Sequence, residues 1–206
     1  MLGAVCVAVA GGVHAAPGPQ VFSLTIHATS VADFDHTDCD ASFRAVGVRT
    51  VSFRSNRPTV VRFVGGRLQS VVVRLHGAVN LSGTNTSNLA CDEQTQPPEQ
   101  CTKTTRVFMN ARVTFKSTAA GSITVQAPHV TLRRVGCPQE PHEVVALPLG
   151  LSPGTLHVSV ATLTNSRITR ITLSASARRT KNYAAPERGF VHQRTAWTLT
   201  LARTVR

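Results

Sequence analysis

Residues 33–40, DFDHTDCD, put four of the chain's ten carboxylates into eight positions, with His36 and Cys39 between them. Carboxylates this close repel one another, so a fold accepts them when they are solvated, cap turns or share a cation. Calcium takes six to eight oxygens, and Asp33, Asp35, Asp38 and Asp40 in the order D-x-D-x-x-D-x-D would supply several. The glycine that turns a twelve-residue calcium loop and the glutamate that closes it are both missing. A general acid/base pair would need a nucleophile or an apolar pocket beside it, and neither is near in sequence. The stretch therefore reads as a solvated acidic connection between strands, held at Cys39. Calcium at the four aspartates is the alternative, and no other cofactor is expected.

A second concentration of chemistry lies at 177–194, ARRTKNYAAPERGFVHQR. Arg178, Arg179, Lys181, Arg188 and Arg194 stand there with Tyr183 and Phe190. Guanidinium groups pair with phosphate, sulfate or carboxylate in a planar fork, and an aromatic ring offers a stacking surface. Read as a long loop on a β scaffold, this segment is the candidate for recognising an anionic envelope polymer or a partner protein. Nucleic acid calls for a denser aromatic platform and is not the expected partner.

Two apparent catalytic motifs fail on mechanism. GLSPG at 150–154 has the G-x-S-x-G form of a nucleophile elbow, but the residue after Ser152 must donate its backbone N–H to an oxyanion, and Pro153 has none. HEVVA at 142–146 begins like a zinc-protease motif and ends in Ala146 where the second histidine belongs. The remaining histidines, His27 and His76 among them, fall on the polar sides of their strands or stand alone. No catalytic residue is expected.

The elements that must position these groups follow from a period of two. In RVFMNARVTFK, Val107, Met109, Ala111, Val113 and Phe115 alternate with polar residues, and only Phe108 breaks the pattern. Val71, Val73, Leu75, Val79 and Leu81 repeat the pattern. So do Phe22, Leu24 and Ile26 near the start, and Trp197, Leu199 and Leu201 near the end. Such alternation marks strands with one buried face. Strands are predicted over 20–29, 41–54, 59–64, 69–81, 105–116, 122–134, 154–163, 167–178 and 195–205, separated by turn signals such as SNRP and GG. About nine strands and no substantial helix predict an all-β protein, an antiparallel β-sandwich of immunoglobulin-like or related type. Residues 33–40, 82–104 and 179–194 are left as longer connections. One domain over 17–206 is expected, with two small β domains divided near 146–154 as the alternative.

Residues 1–16 read as a signal peptide, an apolar run to Val13 followed by small residues at Ala15 and Ala16. No later stretch reaches the ~18 apolar residues of a membrane span, so a secreted protein that does not span the membrane is expected. Four cysteines follow the signal, an even number that favours disulfides in an exported chain. Cys91 and Cys101 bracket a polar loop that a bridge would close, which leaves Cys39 for Cys137; four cysteines allow three pairings. No C-x-x-C spacing supports zinc. The net charge is +12, and nine Lys/Arg against Glu187 alone in 151–206 carry about two-thirds of it. A surface this basic attracts polyanions.

The stretch RAVGVRTVSFRSNRPTVVRFVGG (44–66) resembles secreted β-rich proteins of unknown function from high-GC bacteria. That resemblance implies export and a β fold, and carries no functional residue. Together these features predict a secreted, non-catalytic β-sandwich protein with a binding or structural role at the cell exterior. A secreted enzyme or a cation-dependent carbohydrate-binding module using 33–40 is the alternative.

Overall fold

The computed structural model describes residues 19–38, 43–87, 99–118, 121–127 and 155–204, together with residues 137, 149 and 151. Among them are ten strands: β1 (Gln20–Asp38), β2 (Phe43–Ser55), β3 (Thr59–Val64), β4 (Arg67–Leu68), β5 (Val71–Ser87), β6 (Glu99–Ser117), β7 (Ser122–Gln126), β8 (Leu156–Ser159), β9 (Arg170–Asn182) and β10 (Arg188–Arg203). One short helix, α1 (Val160–Thr164), follows β8. No helix among the described residues is long and apolar enough to cross a membrane.

Every strand pairing is antiparallel, and the protein is all-β, as the alternation predicts. Across the sheet the order is β9, β10, β1, β2, β5, β6, β7, β8. β3 continues the path of β2 along β1: residues 27–38 of β1 pair with β2, and residues 20–24 pair with β3. Asn56 to Pro58 interrupt the two, because Pro58 has no N–H to give to a ladder. Gly65 and Gly66 make the two-residue turn into β4, with φ of 57° and 77° that fit a type I′ hairpin. β8 and β9, the two ends of the sheet, approach each other without pairing. The sheet is thus open and curls around one core, the sandwich class of architecture.

That core is a single cluster drawn from strands on both sides of residues 146–154. Phe22, Leu24, Ile26, Phe53, Val73, Leu75, Val113, Ile123, Leu199 and Leu201 are its fully or nearly fully buried members. Trp197 is the largest, and its indole N–H donates to the carbonyl of Leu149 at 2.5 Å, so the ring is buried without stranding its donor. Arg203 closes the seam near β8. Its guanidinium donates to the carbonyls of Leu163 (2.8 Å), Asn165 (3.0 Å) and Ile168 (3.3 Å) and to the side chain of Gln20. It also lies 5.1 Å from the centre of the Phe22 ring. Ser159 starts α1 as an N-cap, accepting from the Thr162 N–H at 3.0 Å, which ends the strand predicted over 154–163 early.

The three supposed connections are corrected. Residues 33–38 belong to β1, 82–87 to β5 and 99–104 to β6, while 179–182 and 188–194 belong to β9 and β10. At this end polar residues join the inner face: Ser30, His36, Arg49, Gln193 and Thr195 are buried there beside Ala32, Phe34, Ala45 and Val191. The apolar pattern is diluted, but the hydrogen-bonded ladder continues.

The disulfide pairing is also corrected. Cys101 bonds to Cys137, with Cα atoms 6.0 Å apart and a sequence separation of 36. Cys101 sits within β6 opposite Gly83, on the same alternating face as the buried Ala111 and Val113, rather than at the mouth of a loop. Neither the 91–101 nor the 39–137 bridge therefore forms. Cys39 and Cys91 lie outside the described residues.

Candidate functional site

The acidic stretch enters the structure as the last turns of a strand ladder. Asp33 and Asp35 alternate with the buried Phe34 and His36, so both carboxylates point to the outer face. Each meets a cationic or basic partner. The Asp33 carboxylate lies 3.3 Å from Nδ1 of His192, directly across on β10. Asp35 accepts from Nε and a terminal nitrogen of Arg44, at 2.9 and 2.6 Å, in a bidentate pair. These charge-assisted hydrogen bonds hold the Asp35 carboxyl below its ordinary value and raise the Arg44 guanidinium above its own. His36 points inward, stacks on Tyr183 with ring centres 4.2 Å apart, and lies 3.5 Å from the Glu187 carboxylate. No group of three or more His, Cys, Asp or Glu among the described residues has the geometry to hold a metal. The side chain of Asp38 and all of Asp40 lie outside that set.

The basic segment 178–194 is a hairpin, and its candidate residues divide between two faces. Arg178 and Arg194 sit opposite each other on β9 and β10, both exposed on the outer face. Phe190 shares that face and stacks on His192 at 4.3 Å. Arg179 and Lys181 alternate to the other side of β9, and the Lys181 ammonium lies 5.3 Å from the ring of Tyr183, the residue that covers His36. Arg188 is exposed opposite Thr37. The seven residues do not converge, and Asp33, Asp35 and Glu187 stand among them.

The outer face of β2, β3, β5 and β6 is the stronger electrostatic feature, and it was not singled out from the sequence. One row of cross-strand neighbours runs His27, Arg54, His76, Phe108 over β1, β2, β5 and β6. At the ~4.8 Å spacing of neighbouring strands it spans roughly 14 Å. The next row reads Thr29, Ser52, Ala78, Arg106. Its short central side chains leave a trough, floored by Ser52, Gly77 and Ala78, between the first row and Arg106. Arg54 Nε donates to His76 Nε2 at 2.8 Å. Phe108 is 77% exposed, the most exposed large apolar side chain of the described residues.

Beyond the trough the same face carries Arg74 beside Asn110, and Val72 beside Arg112. Arg57, Pro58 and Val60 adjoin them. No carboxylate lies on this surface among the described residues. Asp33, Asp35, Asp38, Glu99 and Glu187 all fall at the opposite end of the sheet, where β1 ends and β6 begins. The signal was present in the sequence: residues 41–91 hold seven arginines and no acid, while Phe108 alone broke the alternation of β6. Without register, however, arginines on three different strands do not read as neighbours.

No protein-family model matches the chain, and no curated protein matches it in sequence. Fold and site together define an all-β protein with one open antiparallel sheet whose outer face is basic, and free of described carboxylates, over β2, β3, β5 and β6.

Proposed function

We propose that the chain is an exported, non-catalytic module that binds an anionic envelope polymer along the outer face of its sheet. The observation that carries this reading is the exposed set Arg54, Arg74, Arg106 and Arg112 on adjoining strands, with no carboxylate among them. Cations carried on a paired sheet attract a polyanion and release its counterions without a backbone rearrangement. Arg178 and Arg194 extend the same face toward the hairpin, so the segment singled out in the sequence contributes its outward residues. Export is supported by residues 1–16 and by the Cys101–Cys137 bond, which suits an oxidising compartment. The non-catalytic reading is supported by Pro153 and Ala146, which spoil the two motifs. A cation site at 33–40 draws less support, since Asp33 and Asp35 already have partners of their own.

Retention on immobilised heparin tests the reading. The wild-type protein should elute at high salt, and a double variant Arg54→Ala/Arg106→Ala clearly earlier. A control of equal charge, Arg167→Ala/Lys181→Ala, should shift elution much less. Equal shifts for the two pairs would reduce the effect to net charge and remove the located face.

A further inference from the structure

We infer that the trough between Phe108 and Arg106 is a subsite for one anionic sugar ring of that polymer, an inference that rests on the polymer-binding reading above. Three features of the outer face bear on the occupant, and the first and third favour a glycan over a bare phosphate chain. The first is Phe108 itself, 77% exposed beside the trough. A charged polymer without rings gains nothing from an uncovered aromatic, whereas the C–H face of a pyranose can lie against it. The second is the pair of guanidiniums that flank the depression. Arg54 and Arg106 are two strands and one row apart, roughly 12 Å between Cα atoms by ordinary sheet spacings. Carboxylate and sulfate both fit the guanidinium fork. The third is the floor, where Ser52 places a hydroxyl and Ala78 only a methyl group. A ring can descend between the two rows there, with a hydrogen-bonding group beneath its own hydroxyls.

The Arg54–His76 bond adds a positioning element. By accepting from Nε, the imidazole fixes the guanidinium plane and leaves the two terminal nitrogens for the ligand. A second copy of this chain is the wrong occupant, because its outer face would bring like charge against like charge. The charge of the face calls instead for an anion, and Phe108 calls for a ring.

The test compares three probes by titration: polygalacturonate, which carries carboxylates on sugars; dextran sulfate, which carries sulfates on sugars; and polyphosphate, which has no ring. Phe108→Ala should weaken one or both glycans by about tenfold, the scale of a lost stacking contact, and leave polyphosphate within about twofold. The glycan that responds identifies the acid group. Arg54→Ala/Arg106→Ala should weaken all three probes. Phe108 is exposed, so its variant should keep the wild-type melting temperature, and Phe108→Trp should restore glycan binding. If Phe108→Ala affects glycans no more than polyphosphate while the arginine pair still matters, the sugar subsite is overturned and the polymer-binding face survives. If the wild-type protein binds none of the three probes, both fall.

Discussion

Asp35 and Arg44 show how far a residue's environment can be worked out and what it contributes. The pair is bidentate, but the Arg44 side chain is half exposed, so solvent screening limits its value to at most about 1 kcal/mol. The hydrogen bonds from Arg44 hold the Asp35 carboxyl below its ordinary 3.8. Its contribution is therefore complete well above that value and is lost as pH falls through the depressed folded value. Asp35→Asn should lower stability by up to about 1 kcal/mol at pH 7, a difference that shrinks progressively as pH falls below the ordinary 3.8, measured by urea denaturation across that range. Arg203 matters more, because three backbone carbonyls depend on it. Arg203→Ala should cost about 2–3 kcal/mol in the same assay, and a loss below about 0.5 kcal/mol would contradict the closure described at the seam. At this scale the sequence would show that Asp33 and Asp35 share a face only once β1 is carried past residue 29, since parity along a strand is local. It did not show that His192 and Arg44 meet them, because both arrive through pairing with other strands.

The strands themselves are longer than their apolar patterns. SGTNTS at 82–87 and EQCTKT at 99–104 carry no hydrophobic alternation, yet residues 71–85 of β5 pair continuously with 113–99 of β6. DFDHT does alternate, with Phe34 and His36 inside and Asp33, Asp35 and Thr37 on the other side. The acidic count drew attention away from that period. The ladder persists because backbone hydrogen bonds need only a neighbouring strand, whereas hydrophobic period reports only burial. At the hairpin tip, Gly189 has φ of 112°, and a Cβ there would sit 1.9 Å from the carbonyl oxygen of Asp35. Gly189→Ala should therefore cost at least about 2 kcal/mol. Hydrogen exchange should then speed up first in residues 179–194, ahead of the core strands.

Over the whole molecule, charge is sorted by position: the acids of the described residues gather at one end of the sheet and the exposed arginines spread over its outer face. The all-β class was legible because a single period ran through most of the chain. The face was not, because register between strands decides which arginines become neighbours. The Cys101–Cys137 bond closes a long chain segment and, by loop entropy, contributes about 4 kcal/mol. Cys101→Ser/Cys137→Ser should lose much of this in denaturant, with no change in polyanion binding wherever the variant remains folded. The central claim is best tested by mapping amide chemical shifts while a short heparin oligosaccharide is added. Perturbations should centre on Ser52, Arg54, His76, Ala78, Arg106 and Phe108, weaken outward along β2, β5 and β6, and fade with added salt. Shifts confined to residues 33–38 and 183–192, with these strands unmoved, would contradict the account.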